Sequence, residues 1–147
     1  MLSAIDVAHY VIARTNKIGH GISNLKLQKV LYLIQAEFLV VFDHTCFVDD
    51  IEARSFGVVV PSVYNKFKMY GACRIWYLED RHPEWLQLDV APDEKYHINC
   101  VIDDLLDIHS SDLTQITINQ DPWKKTYQKD QRRIIKPSLI KEYFQEE

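Results

Sequence analysis

Apolar side chains recur at helical spacing through the first forty residues. Ile5, Ala8, Val11 and Ile12 share one face, and Ser3 with Asp6 three residues later forms a variant of the capping box that opens a helix. Gly19-His20-Gly21 ends it. Ser23 then caps a second helix, in which Leu27, Leu31, Ile34, Phe38 and Val41 form a stripe that Val30, Leu33 and Val40 widen. An apolar surface this broad predicts a central helix over about 23–42, packed on several sides and about 30 Å long.

The pattern changes after residue 42. Two short segments, 44–48 and 51–56, flank the turn-prone Asp49-Asp50 and predict a short hairpin near 44–56. Gly57 sits where the backbone needs unusual freedom, and Val58-Val59-Val60 is extended because a residue before proline avoids the α region. Pro61 suits the first position of a short helix carrying Val63, Phe67 and Tyr70, with Gly71 as its stop. Residues 72–92 show no clear period, although Trp76, Tyr77 and Trp85 cluster around His82-Pro83. Ile98, Val101, Ile102, Leu105 and Leu106 predict an amphipathic helix with Asp103, Asp104 and Asp107 on its other face. Ser110-Ser111-Asp112 caps a further turn through about Ile116. Asp121-Pro122 opens a helix holding Trp123 and Tyr127, and Pro137-Ser138 opens the last, with Ile140, Tyr143 and Phe144. The expected fold is mainly α: one compact helical bundle around the central helix, spanning 1–147 as a single domain.

Composition narrows the class. At 147 residues, 47% hydrophobic and with four glycines, the chain has enough apolar material for one core and too little low complexity for a linker or fibre. The run at 38–42 is far shorter than the roughly 20 residues a membrane span needs, and the start shows no export signal. Three cysteines, Cys46, Cys73 and Cys100, form no CxxC pair and suggest reduced thiols in a cytoplasmic protein. Net charge is −4, unevenly spread. Residues 1–78 carry 8 basic and 6 acidic groups, residues 79–121 carry 2 and 11, and residues 122–147 carry 7 and 4. The acidic middle repels phosphate and attracts a basic protein.

Little catalytic chemistry is legible. There is no glycine-rich phosphate loop, HExxH or GxSxG. His44 with Cys46, and His97 with Cys100, each supply two ligands where zinc takes three or four, so no metal or cofactor is expected. Glu79, Asp80 and Glu84, like Asp103, Asp104 and Asp107, read as solvated faces rather than acid–base pairs. The basic segment Lys124, Lys125, Lys129, Arg132, Arg133 and Lys136, interleaved with Trp123 and Tyr127, is the one nucleic-acid candidate. Against it stand the overall acidity and an i, i+4 spacing that suits anchoring Trp123 and Tyr127 on the core.

The polar residues inside the central helix carry more information. Gln28, Lys29, Tyr32 and Gln35 lie along one side at spacings of three and four. Buried Gln and Tyr need hydrogen-bond partners, and the 57–61 segment is the expected source. The seam is either a satisfied structural one or the polar floor of a groove that orients a bound segment.

These residues sit in recognisable motifs. Leu25-Lys26-Leu27-Gln28-Lys29-Val30-Leu31-Tyr32, followed by Gln35, resembles the LKLQKLLYxxQ signature of the SocA-like antitoxin, or Panacea, domain. Ile51-Glu52-Ala53, then Gly57-Val58-Val59-Val60-Pro61-Ser62-Val63-Tyr64 and Phe67-Lys68-Met69-Tyr70-Gly71, is similar to the family's IEAWxxGPVVPxVYxxFKxYG. The stretch from Thr117 to Trp123, with Ile140 and Tyr143-Phe144, resembles its ending. Val58 replaces a usual proline, Arg54 a usual tryptophan, and Ile118 a frequent histidine. The resemblance implies a mainly α domain of phage- and prophage-associated proteins and toxin–antitoxin pairs. It also implies a non-enzymatic role, in which the domain neutralises a toxin encoded next door by direct protein contact. The family-motif residues Leu27, Gln28, Lys29, Tyr32, Gln35, Gly57, Pro61, Tyr64 and Trp123 become the candidate partner-binding or structural positions. The alternative is a nucleic-acid-binding regulator acting through 124–136.

Overall fold

Capping and glycine punctuation set the helices. The computed structural model describes residues 2–76 and 81–145, so the expectations placed on Tyr77, Glu79 and Asp80 lie outside the described residues. Helix α1, Ala4–Lys17, begins at the anticipated box: the Ser3 hydroxyl accepts from the Asp6 amide, and the Asp6 carboxylate accepts from the Ser3 amide. It ends where His20 and Gly21 both donate to the Thr15 carbonyl, a turn that needs left-handed φ at Gly19 and Gly21.

The central helix α2, Asn24–Val41, starts with the Ser23 hydroxyl accepting from the Lys26 amide. Helices α3, Pro61–Phe67, α4, Pro92–Leu105, α5, Ser110–Ile118, α6, Asp121–Lys124, and α7, Pro137–Gln145, complete the α-helical set among the described residues, with short 3-10 turns at Lys68–Tyr70 and Pro83–Leu86. Helices α1, α3, α4, α5 and α7 pack against α2, which explains its broad apolar surface. One core joins them, with Leu27, Leu31, Tyr32, Ile34 and Phe38 of α2 packed with Val7, Val11, Phe47, Val58, Val63, Ile98, Ile102 and Ile140.

Among the described residues, two small antiparallel sheets brace this bundle. Strand β1, Ile22–Ser23, pairs with β4, Arg74–Ile75, so the entry to α2 is tied to the chain after α3. Strands β2, Glu52–Arg54, and β3, Gly57–Val59, form the hairpin, and β5, Arg133–Ile134, adds to the outer side of β2. The hairpin therefore turns at Ser55-Phe56, not at Asp49-Asp50. The reason is a tertiary bond: the Asp49 carboxylate accepts from the Ala4 amide at 2.7 Å and from the Ser62 hydroxyl at 2.6 Å. Asp49 thus satisfies the first amide of α1 and ties down the Ser62 side chain of α3, and is taken out of turn duty.

Two further boundaries move. His109 is the residue before α5, and its ring Nδ1 accepts from the Ser111 amide. Helix α6 ends at Lys124, so Tyr127 lies beyond it, held by a bond from its amide to the Trp123 carbonyl.

Candidate functional site

The polar residues of α2 are buried and satisfied by several different elements. Gln28, Lys29 and Tyr32 are 0% exposed. The Gln28 Nε2 donates to Asn24 Oδ1 at 2.8 Å, and its Oε1 accepts from the Val60 amide at 2.9 Å. Asn24, one turn earlier, donates to the Tyr64 carbonyl at 3.1 Å. Two side chains at i and i+4 therefore clamp the residue before Pro61 and the first turn of α3. Pro61 follows at the first helical position, where a missing N–H costs nothing.

Lys29 faces the hairpin turn. Its Nζ donates to the Phe56 carbonyl at 3.0 Å and lies 5.8 Å from the Phe56 ring centroid, while that ring meets the Tyr64 ring at 5.4 Å. Burial alone pulls the ammonium down from its ordinary value to about 7. Gly57 has φ +109°, and a Cβ there would stand 3.0 Å from Lys29 Cε and 3.1 Å from Nζ. The motif glycine gives the buried lysine its room.

Tyr32 and Gln35 reach elsewhere. The Tyr32 hydroxyl donates to Gln120 Oε1 at 2.8 Å, just before α6, and its ring meets Phe144 of α7 edge-on at 6.0 Å. Gln35 Oε1 accepts from the amides of Cys46 and Phe47, at 2.7 and 3.2 Å, and its Nε2 donates to the Phe47 carbonyl at 3.0 Å. The expected convergence of all these residues on 57–61 does not occur. Seven residues of helix separate Gln28 from Gln35 by about 10 Å along the axis, too far for one short segment to serve both. The seam instead holds three separate pieces of chain, 46–47, 56–64 and the residue Gln120, against α2. Leu27 packs beside it in the core, and Trp123 completes the hairpin, its Nε1 donating to the Arg54 carbonyl at 2.9 Å. Sequence reasoning did not single out Asn24 or Gln120; the i, i+4 spacing to Gln28 was the available signal for Asn24.

The surface offers a different feature. Where α2 ends, Leu33, Ala36 and Val40 meet Val101 and Leu105 of α4 and Phe144 of α7 around a cavity of about 330 Å³. Glu37 and Asp104 supply its acidic groups, with Glu37 Oε2 at 2.8 Å from His97 Nδ1. Val40, expected to pack in the core, borders this opening, and the adjacent Val41 is 45% exposed. The acidic face of α4 runs alongside through Asp103, which takes a bidentate contact from Arg14.

Of the other candidates, His44 and His97 pair with carboxylates and Cys46 is buried, while Lys124, Lys125, Lys129, Arg132, Arg133 and Lys136 are exposed. Among the described residues no group of three or more His, Cys, Asp and Glu side chains is placed to hold a metal ion. His97 turns to Glu37 rather than to Cys100, and His44 Nε2 lies 3.2 Å from Glu94. Burial, with Glu94 nearby, pushes the Cys46 thiol up to about 12, far from a reactive thiolate. In the basic segment Tyr127 stacks on Trp123 at 4.5 Å, and Lys124 and Lys125 approach Asp121. No helix among the described residues is long and apolar enough to cross a membrane.

The fold and seam define a mainly helical domain whose motif residues fasten loops to one buried helix. The sequence model of the family described as "Antitoxin SocA-like, Panacea domain" matches residues 27–124, and the chain belongs to that family. The match begins in α2 and ends in α6, taking in both halves of the seam. Membership suggests an antitoxin role and implies a toxin partner in general terms; such antitoxins are generally non-enzymatic. No curated protein and no solved structure matches the chain.

Proposed function

We propose that this chain is a cytoplasmic, phage- or prophage-type antitoxin that neutralises a toxin encoded beside it, by direct binding and without catalysis. Its working unit is the whole of 1–147, since α1 and α7, outside the family match, share the core with α2. The motif residues Gln28, Lys29, Tyr32, Gln35, Gly57, Pro61, Tyr64 and Trp123 act as the frame, and the contact surface is the opening between α2, α4 and α7.

The observation that carries this reading is the acid-bordered apolar opening lined by Leu33, Val40, Leu105 and Phe144 with Glu37 and Asp104. Apolar side chains give a partner area to bury, and the surrounding carboxylates favour a basic one. The occupant that fits is a basic amphipathic segment of the toxin, laid into the groove by its apolar face.

Growth rescue tests the reading. Co-expression with the product of the adjacent gene is expected to restore growth that this product arrests, and Val40→Asp is expected to abolish rescue while leaving the helical circular dichroism unchanged. Equal rescue by Val40→Asp would remove the groove from the account, and absence of any rescue by the native chain would remove the antitoxin reading.

A further inference from the structure

A second cavity lies at the opposite end of α2. It measures about 620 Å³ and shares no lining residue with the groove. Its walls come from the turn before α2, from β4, and from the link between α4 and α5. Three independent features point positive charge or hydrogen-bond donors at this space. Lys26 lines it at only 7% exposure, and one of its three N–H groups is spent on the Leu106 carbonyl at 2.8 Å. Arg74 lines it from β4, anchored by one Nη1 bond to the His20 carbonyl at 2.7 Å. The α5 start lines it through Ser110 and Ser111, at the positive end of a nine-residue helix whose Ser111 amide is already bonded to the His109 ring.

Asp107 is the acidic group in the lining, facing two cations and two histidines, His20 and His109. Burial and the neighbouring Arg74 hold the Lys26 ammonium below its ordinary value against the pull of Asp107, so cation crowds cation here.

We infer that this cavity is a binding site for the phosphate group of a small organic phosphate, with Lys26 and Arg74 as its charged ligands. Arginine offers a forked donor set matched to phosphate oxygens, and lysine a compact charge. Ile22, Leu25 and Ile108 line the remainder and give the organic part an apolar wall. The volume falls in the range of small-ligand sites. The site does not depend on the toxin-binding reading.

Titration of the full chain followed by amide NMR at constant ionic strength tests this, with inorganic phosphate, AMP and adenosine as probes. Phosphate and AMP are expected to give saturable shifts at 20–26, 72–74 and 106–111, and adenosine none. Arg74→Ala and Lys26→Met are each expected to weaken AMP binding by about tenfold or more, the usual scale for losing a charge-assisted bond. Arg74 is exposed, so Arg74→Ala also supplies the control for folding: the melting temperature of the free chain is expected to change little while AMP binding weakens. No saturable shift with either phosphate probe would overturn the site. So would shifts that Arg74→Ala leaves unchanged, or equal binding of adenosine and AMP.

Discussion

At the residue scale, a helix in this chain does more than bury apolar area. Gln28 satisfies the Val60 amide and holds Asn24, so Gln28→Leu leaves a buried donor and acceptor without partners. Its expected cost is about 2–3 kcal/mol in urea denaturation. Tyr32→Ala is expected to cost about 3 kcal/mol, as aromatic truncations in cores do, and Tyr32→Phe about 1 kcal/mol for the Gln120 bond alone. Equal losses for the two Tyr32 variants would contradict the weight placed on ring packing.

Lys29 makes a signed pH prediction. Its ammonium titrates near 7 in the fold and at 10.5 ordinarily. Between those values the unfolded chain binds a proton that the folded chain has released, so this group's contribution to stability rises with pH from about 7 to 10.5. Below about 7 the lysine is charged in both states and the full cost of burying it is present. Lys29→Met is therefore expected to stabilise the protein at pH 6 by on the order of a few kcal/mol, after about 1 kcal/mol is lost at the Phe56 carbonyl. That gain is expected to shrink towards pH 10. A stability difference independent of pH would contradict the buried, desolvated state of Lys29. The polar types and their spacing were legible in the sequence as a seam. Which loop each residue grips was not, because that depends on how far along the helix axis each one sits.

At the element scale, punctuation was the readable signal. Ser3 and Asp6, Ser23, Pro61 and Pro137 mark helix starts found at or beside those residues, since caps act through bonds within a few residues. Ser3→Ala is expected to cost about 1 kcal/mol, read as a drop in melting temperature. The hairpin shows the opposite case. Asp49-Asp50 has turn chemistry, but its carboxylate serves the starts of α1 and α3, which no local window reveals. The turn passes to Ser55-Phe56, and Gly57 then carries the left-handed φ beside Lys29. Gly57→Ala is expected to cost at least about 1 kcal/mol through its φ and more through the contact with Lys29. In a Lys29→Ala background that cost is expected to fall without vanishing, and a double-mutant cycle measures the difference. Simple additivity would mean that the two residues do not crowd each other.

At the scale of the whole molecule, the mainly helical class followed from the apolar periods, and the family from two motifs that the structure brings together around α2. The surface did not follow. Val40 continues the apolar stripe of α2, and nothing in its spacing separates a residue packed by a neighbour from one left beside an opening. Charge was legible as a strongly acidic middle, but not the place where Asp104 stands beside apolar Leu105 and Phe144. Asp104→Lys is expected to slow association with a basic toxin several-fold at low salt, with the difference erased near 0.5 M, since rim charge acts mainly on encounter rate.

The measurement that tests the account most directly is the affinity of the purified native chain and its Val40→Asp variant for the adjacent gene's product, read by surface plasmon resonance at about 0.15 and 0.5 M salt, with a DNA duplex from the same operon as the second analyte. Apolar burial survives screening, so the native chain is expected to hold the protein at both salts and the variant to lose it at both, while any DNA retention disappears at the higher salt. Sequence-specific DNA binding at 0.15 M with no protein captured, or a variant that binds the toxin as the native chain does, would contradict the account.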